Sequence, residues 1–403
     1  MLLQLTADQE ERSNRIDQLQ TKMMAGQGPD IFILPCDDGF GFNETRLIEN
    51  VEKGMVTGLF ADLSQLYDQD ETLEKDLLLE KVMDAGMMDG KRYILPLRYQ
   101  YPIILALEDE LQGAGLEISE LAQNSETFLS TVIAQEGNAW HVSGANVFAA
   151  NLSNVFPSLC DYNTGEVYLD EETLTDTLSQ YMELLSTLDQ ESIEADGTVW
   201  PYYLSPDRPS DTLFLSDDLF MYLDVAYAQY QELVAAPFAA QDGSIVANVS
   251  YYGAVSANCA ALEEAYEFLK LLLSKEVQSG GALEYNGASY DASEWGTAHG
   301  WPVRSDITAE ELRAAVPQAP LSNGMVEELR QPVEGEPAPM LPEEFFTEAY
   351  ERIVEVRPYT LLDGSFSRAA MSLYDFATFT PNTEQMDEVA EELLRQLETE
   401  VAE

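Results

Sequence analysis

The chain has 403 residues, 45% hydrophobic and 10% aromatic, and its 73 acidic side chains face 20 basic ones for a formal net charge of -53. That length exceeds what one hydrophobic core organises, so two lobes are expected, with enough apolar surface to fold both. So much negative charge repels nucleic acid, anionic lipid and polyanionic ligands, and excludes DNA or RNA as partners. With acids this abundant most carboxylates simply solvate exposed faces, and an isolated Asp/Glu pair carries no information.

Histidine occurs only at His141 and His299, which removes most of the ligands and bases that metallohydrolases and Ser-His-Asp enzymes need. Cys36, Cys160 and Cys259 are too few and too scattered for a disulfide framework or a spaced zinc site, and read as small buried hydrophobes. No metal and no cofactor is expected. No stretch approaches the ~18 continuous apolar residues of a membrane span. The polar run Thr6 to Arg15 lacks the plan of a signal peptide, so export would rely on a signal absent from this sequence.

In chain order, Ile16, Leu19 and Met23 recur at helical spacing, and Gly26 offers a left-handed stop. After Gly28-Pro29, the apolar run Asp30-Ile31-Phe32-Ile33-Leu34-Pro35 has the pattern of a parallel strand covered on both faces. Ligands in open α/β sheets sit beyond the carboxyl ends of such strands, which places Asp37 and Asp38 near a cleft mouth. Gly58 to Ser64 reads as a loop packing two apolar side chains before a helix start. Asp89-Gly90 is a turn dipeptide and Lys91 to Pro96 a strand; Tyr99 to Leu107 extends that signal and is taken as the first crossing between lobes. From Glu108 to about Val234 the pattern is mostly helical, with a turn at Asn163-Thr164-Gly165, a short strand at Val167-Tyr168-Leu169, and Leu174, Leu178, Tyr181, Met182 and Leu185 on one helix face. Ser244 to Val255 is β-like, and Leu262, Ala265, Tyr266, Leu269, Leu272 and Leu273 share one side of a helix. The proline-rich Gln331 to Pro342 favours an extended surface loop. The chain ends on a helix capped by Asn382-Thr383, with Met386, Val389, Leu393, Leu397 and Val401 as its buried stripe.

The order of these segments resembles the family 1 extracellular solute-binding proteins of bacterial ABC transporters. Ala25-Gly26-Gln27-Gly28-Pro29-Asp30-Ile31 is similar to the family's helix stop and strand, and Gly58 to Ser64 to its glycine, apolar, Asp-Leu segment. Met88-Asp89-Gly90-Lys91-Arg92-Tyr93-Ile94-Leu95-Pro96 resembles its Asp-Gly-Lys-x-Tyr-x-x-Pro signature. The stretch from Ala265 to Gln278 is the most diagnostic, resembling a helix that carries Phe-Leu and ends in Ser-x-Glu-x-Gln. Each motif alone is weak, and their order and spacing carry the resemblance from about Ile16 to the final helix, with unmatched intervals at Glu108 to Val155 and Gly280 to Pro342. Two departures stand out. Family members normally start with a strand and helix ahead of the unit that begins here, so Leu2 to Leu5 read as a remnant of a second strand; and Phe214 to Leu223 replaces an expected glycine and Ala-Met.

The resemblance implies an α/β, two-lobed periplasmic-binding-protein-like (type II) fold, each lobe a mixed sheet flanked by helices, with three hinge crossings. Lobe one would take 1–106 plus 243–299, and lobe two 107–242 plus 300–403. It further implies a monomeric, extracytoplasmic substrate-binding subunit of an ABC importer, periplasmic or held as a lipoprotein. Such a subunit captures a mono- or oligosaccharide by hinge closure, performs no chemistry and hands the solute to separate ABC permease subunits. No P-loop is present to drive transport from this chain.

Sugars are held by aromatic rings on their C–H faces and by carboxylates and amides on their hydroxyls. The candidates are Asp37 and Asp38 after the first buried strand, Tyr99 and Tyr101 at the crossing, and Tyr251 and Tyr252 before Gly253, the position that the resemblance implies faces the ligand. Against each stands a plainer reading as solvated turn or strand packing. Trp140, Trp301, Trp200 and Tyr202 are weaker candidates, because large aromatics are most often packing, and Trp295 is read as packing outright. Two other readings stay open: the same fold binding a cationic amine or peptide through charge and cation–π attraction, and a glycoside hydrolase working with two carboxylates.

Overall fold

The structure, a computed structural model, describes residues 9–36, 47–134, 141–143, 152–162, 164–187, 211–216, 233–280, 282–285, 288–291, 300–308, 311, 343–358, 361–375 and 380–402. Its principal strands are, in chain order, β1 (Ile31–Pro35), β2 (Ile94–Gln100), β3 (Ile103–Leu107), β4 (His141–Ser143), β5 (Asp211–Ser216), β6 (Leu233–Pro237), β7 (Ile245–Val255), β8 (Trp301–Pro302) and β9 (Ile353–Pro358).

Strand β7 is the spine of the first sheet. One edge carries β2, antiparallel from Asn248↔Gln100 to Ala254↔Ile94, and β8 adds to β2 through Trp301↔Tyr99. The other edge is shared: β1 pairs antiparallel with Tyr251 to Val255, and β9 pairs parallel with Ile245 to Val249. The second sheet has the order β6-β3-β5-β4, antiparallel except where β4 joins β5.

The run Ile31 to Pro35 is a strand, as expected, but its neighbour is antiparallel. Ile31 and Ile33 pack on one face of the sheet, Phe32 and Leu34 on the other. Unbroken hydrophobicity therefore reports two covered faces and says nothing about direction. The interval read as helical does hold the helices Ser125–Ile133 and Glu171–Thr187, yet β4, β5 and β6 interrupt it. Apolar runs this short have no period long enough to separate strand from helix.

Tyr99 to Leu107 is likewise two strands in two sheets. Tyr101-Pro102 breaks them: a proline has no N–H to donate to a ladder, and its carbonyl instead accepts from Phe238 N at 2.8 Å, where the chain crosses back. Sheet membership thus departs from the expected division at three strands. Ile103–Leu107 pairs wholly in the second sheet, so the first crossing falls at Tyr101-Pro102 and not after 106, while Trp301–Pro302 and Ile353–Pro358 pair in the first.

Each face of the first sheet has its own core. Leu95, Leu97, Tyr99, Leu269 and Trp301 fill one side, and Phe32, Met55, Phe60 and Tyr252 the other. The helix Leu262–Leu271 lies close over β7 because Gly253 has no side chain; a Cβ there would sit 2.8 Å from Leu269 Cδ2. The second core joins Phe128, Phe156, Leu174, Leu178, Tyr181 and Phe366 to Leu393 and Leu397 of the final helix, Met386–Ala402. Asn382 does not cap that helix. A 3-10 turn, Thr383–Gln385, intervenes, and the Asn382 side chain donates to Gln385 Oε1 at 3.1 Å. The segment Gln331 to Pro342 lies outside the described residues. Among the described residues no helix is long and apolar enough to cross a membrane.

Candidate functional site

Strands β1 and β9 meet head-on along one edge of β7. β1 is antiparallel and ends with Pro35 opposite Tyr251, whereas β9 is parallel and ends with Pro358 opposite Val249. Both carboxyl ends therefore fall at Val249 to Tyr251, and Cys36 N donates to Ser250 O at 2.8 Å as the chain leaves the sheet. Neither strand can continue along this edge of β7 without meeting the other. The ground beyond the carboxyl ends of strands is where open α/β sheets bind ligands.

The second lobe docks beside it. In the turn Leu152–Val155, Asn154 Nδ2 donates to Val246 O at 3.0 Å and Asn154 Oδ1 accepts from Asn248 Nδ2 at 3.3 Å. Arg357 Nη2 donates to Ser153 O at 3.0 Å, and Gln241 N to Val155 O at 2.9 Å. Ser153, Asn154, Asn248, Ser250 and Arg357 are all buried. The Val246 carbonyl pins the Asn154 amide by requiring its NH2 side, which turns Oδ1 to Asn248 and so pins the second amide. Asn248 Oδ1 is left as a buried acceptor with no donor among the described residues, suited to a hydroxyl or an amine and unsuited to a carboxylate.

Beyond this turn the short strands Cys160–Asp161 and Glu166–Val167 form a hairpin, from which Tyr162 packs against the Phe32, Val51 and Met55 cluster of the first lobe. Its hydroxyl accepts from Asn50 Nδ2 at 3.0 Å. Burial, then Glu52, pushes the Cys160 thiol up to about 12, so it stays protonated and is no nucleophile at neutral pH. Among the described residues no group of three or more His, Cys, Asp or Glu is placed to hold a metal.

The residues singled out from the sequence divide sharply. Tyr251 is half-buried at the strand-end junction, and burial and Cys36 raise its phenol pKa. Asp37 and Asp38, which follow Cys36 in the chain, lie outside the described residues, as do Trp140, Trp200, Tyr202 and Trp295. Tyr252 turns to the opposite face, edge-on to Phe60 with centroids 6.2 Å apart, and is 1% exposed. Tyr99, Tyr101 and Trp301, 4%, 1% and 1% exposed, are core: Tyr101 stacks on Trp301 at 6.1 Å and 23°, with Tyr99 tilted against it. Strand alternation and a proline crossing point these rings inward, so the expectation that they line a cleft is corrected. Asn154, Asn248 and Arg357 escaped the sequence reading. The one available signal was Asn248, a lone amide in the otherwise apolar run Ile245 to Val249.

Two linked sheets, each with its own core, make a two-lobed, periplasmic-binding-protein-like α/β fold. No family model and no curated protein matches the sequence. Solved structures do match over nearly the whole chain. An extracellular solute-binding protein family 1 from Alicyclobacillus acidocaldarius is similar at TM-score 0.56 and 14% identity, over 96% of this chain and 87% of that one. The galacto-N-biose-/lacto-N-biose I-binding protein of an ABC transporter from Bifidobacterium longum, in complex with lacto-N-biose, matches at 0.58 and 14%, over 97% and 87%. Maltose-bound MalE3 of T. maritima matches at 0.58 and 13%, over 95% and 89%. At these identities what is shared is the fold.

Proposed function

We propose that this chain is the extracytoplasmic substrate-binding subunit of an ABC importer, and that it captures a mono- or oligosaccharide between its lobes and releases it unchanged. The observation that carries the reading is the junction at Val249 to Tyr251, where two strand ends meet and the second lobe supplies a buried polar turn. Tyr251 provides a ring for a sugar C–H face and Asn248 an acceptor for a hydroxyl, and Asp37 and Asp38 follow Cys36 in the sequence. The maltose and lacto-N-biose held by two structural neighbours support a carbohydrate, and the net charge of -53 disfavours an anionic one. By sheet and core membership the described residues up to 102, with those in 245–308 and 343–358, make lobe one, and the described residues in 103–237 and 361–402 make lobe two. Separate permease subunits would receive the closed, loaded monomer.

A melting screen tests this. A sugar at ~100 times its dissociation constant adds roughly 2.7 kcal/mol of stability, so at least one of a panel including maltose and lacto-N-biose raises the unfolding midpoint, without product, and Tyr251→Ala abolishes the shift. Shifts with polyamines or peptides alone, or hydrolysis of an oligosaccharide, would refute it.

A further inference from the structure

A second contact joins the lobes, built from different residues. Asn50 ends the segment that leads into the helix Val51–Val56 of the first lobe, and its Oδ1 accepts from Lys53 N at 2.9 Å, which caps that helix. This fixes the orientation of its amide, so Nδ2 must face outward. There it donates to Glu400 Oε1 at 2.7 Å and to Tyr162 OH at 3.0 Å, and Lys53 Nζ lies 3.6 Å from the same Glu400 oxygen. Asn50 is 8% exposed and the Glu400 side chain 33%, so the bond to the carboxylate is part-buried.

Both partners belong firmly to the second lobe. Glu400 rides on the final helix, whose Leu393 and Leu397 are embedded in that lobe's core, and the Tyr162 hairpin packs on the same helix, where the Gly165 backbone approaches Val401. Tyr162 in turn inserts its ring against the first-lobe cluster around Val51 and Met55. Burial, then Glu52 and Cys160, raise the Tyr162 phenol, so its hydroxyl stays neutral and can accept.

We propose that Asn50 and Glu400, with the Tyr162 ring, form a latch that holds the two lobes docked in the absence of solute and thereby sets solute affinity without touching it. This rests on the two-lobed capture reading for its consequence, but the latch itself needs no ligand. A contact that exists only in the docked state multiplies the docked population, and apparent affinity follows that population. A hydrogen bond to a charged group corresponds to on the order of tenfold in that equilibrium.

The test uses Asn50→Asp, which keeps the helix-capping oxygen but replaces the donor to Glu400 with a like charge, and the double variant Asn50→Asp/Glu400→Gln, which restores a donor–acceptor pair with the roles exchanged. Small-angle scattering of the ligand-free full chain reads the separation of the lobes. The expected result is a larger radius of gyration for the single variant and a return to the wild-type value in the double. Superimposable scattering from all three, or expansion that the second change does not reverse, overturns the latch. Titration with maltose and lacto-N-biose is then expected to show about tenfold weaker binding in the single variant than in wild type. If neither sugar binds any form, the carbohydrate reading fails while the scattering still decides the latch; if a sugar binds all three equally, the link from latch to affinity is overturned.

Discussion

Asn154→Ala is the most informative single change at the lobe junction. It deletes the donor to the Val246 carbonyl and the acceptor for Asn248 Nδ2 and Ser153 Oγ, and Asn154 and Asn248 are each only 2% exposed. Leaving a buried polar group unpaired costs about 1–3 kcal/mol, so three such groups, at the low end of that range, place the loss near ~3 kcal/mol. With about 2–4 °C per kcal/mol for domains of this size, the melting midpoint should fall by roughly 6–12 °C. Asn248→Ala is the control. It leaves Asn154 bonded to Val246 and to Ser153, whose Oγ donates to Asn154 Oδ1 at 3.3 Å, and it removes an acceptor with no donor among the described residues, so its cost should stay near ~1 kcal/mol. In the double variant the losses should be less than additive, because the Asn248 amide is no longer present to be stranded. Calorimetry on the four proteins decides it: equal losses from the two single changes, or strict additivity, would refute the account of the junction as an ordered pair of amides.

Backbone geometry makes a matched pair of glycine substitutions. A Cβ on Gly86 would lie 2.2 Å from the Ile94 carbonyl oxygen, whereas Gly90, at φ +72°, has nothing within 4 Å; Gly86→Ala should cost about 3 kcal/mol by urea unfolding and Gly90→Ala about 1 kcal/mol. Equal costs would show that the hairpin relaxes freely. The third prediction concerns pH. Burial raises the Asp70 carboxyl, but Lys270 and Thr72 outweigh it and hold it well below the usual carboxylate range. A depressed folded pKa contributes stability above the unfolded pKa of ~3.9 and loses it as pH falls toward the folded value. Asp70→Asn should therefore be less stable than wild type at neutral pH, with the difference shrinking steadily below about pH 4; a gap that does not change with pH would contradict the Lys270 pairing.

Much of the local structure was legible before any coordinates. Ile16 and Leu19 are buried on the first helix, Gly26 has φ +70°, and Asp89 and Gly90 take the left-handed turn that their dipeptide announces. Leu174, Leu178 and Tyr181 are sealed in the second core, as are Leu393 and Leu397. These features follow from the nearest few residues, through periodicity, caps and φ preferences, which is why a linear reading reaches them.

The candidate site was legible only in part, for a physical reason. Tyr251 and Tyr252 pack on opposite faces of β7 because successive side chains on a strand point to opposite sides, and which face each takes is set by how β7 pairs and packs. Tyr99, Tyr101 and Trp301 carry the same composition signal as a sugar platform, yet their chain path turns them into core. Asn154 meets Val246 across 92 residues, and Asn50 meets Glu400 across 350. The sequence by itself determined the helices, the turns and the apolar strand cores, since those are written in short-range pattern. Only the tertiary structure decided that two strands end against each other on β7 and that the second lobe closes on that point, because strand pairing and lobe docking join residues whose separation along the chain carries no local signal.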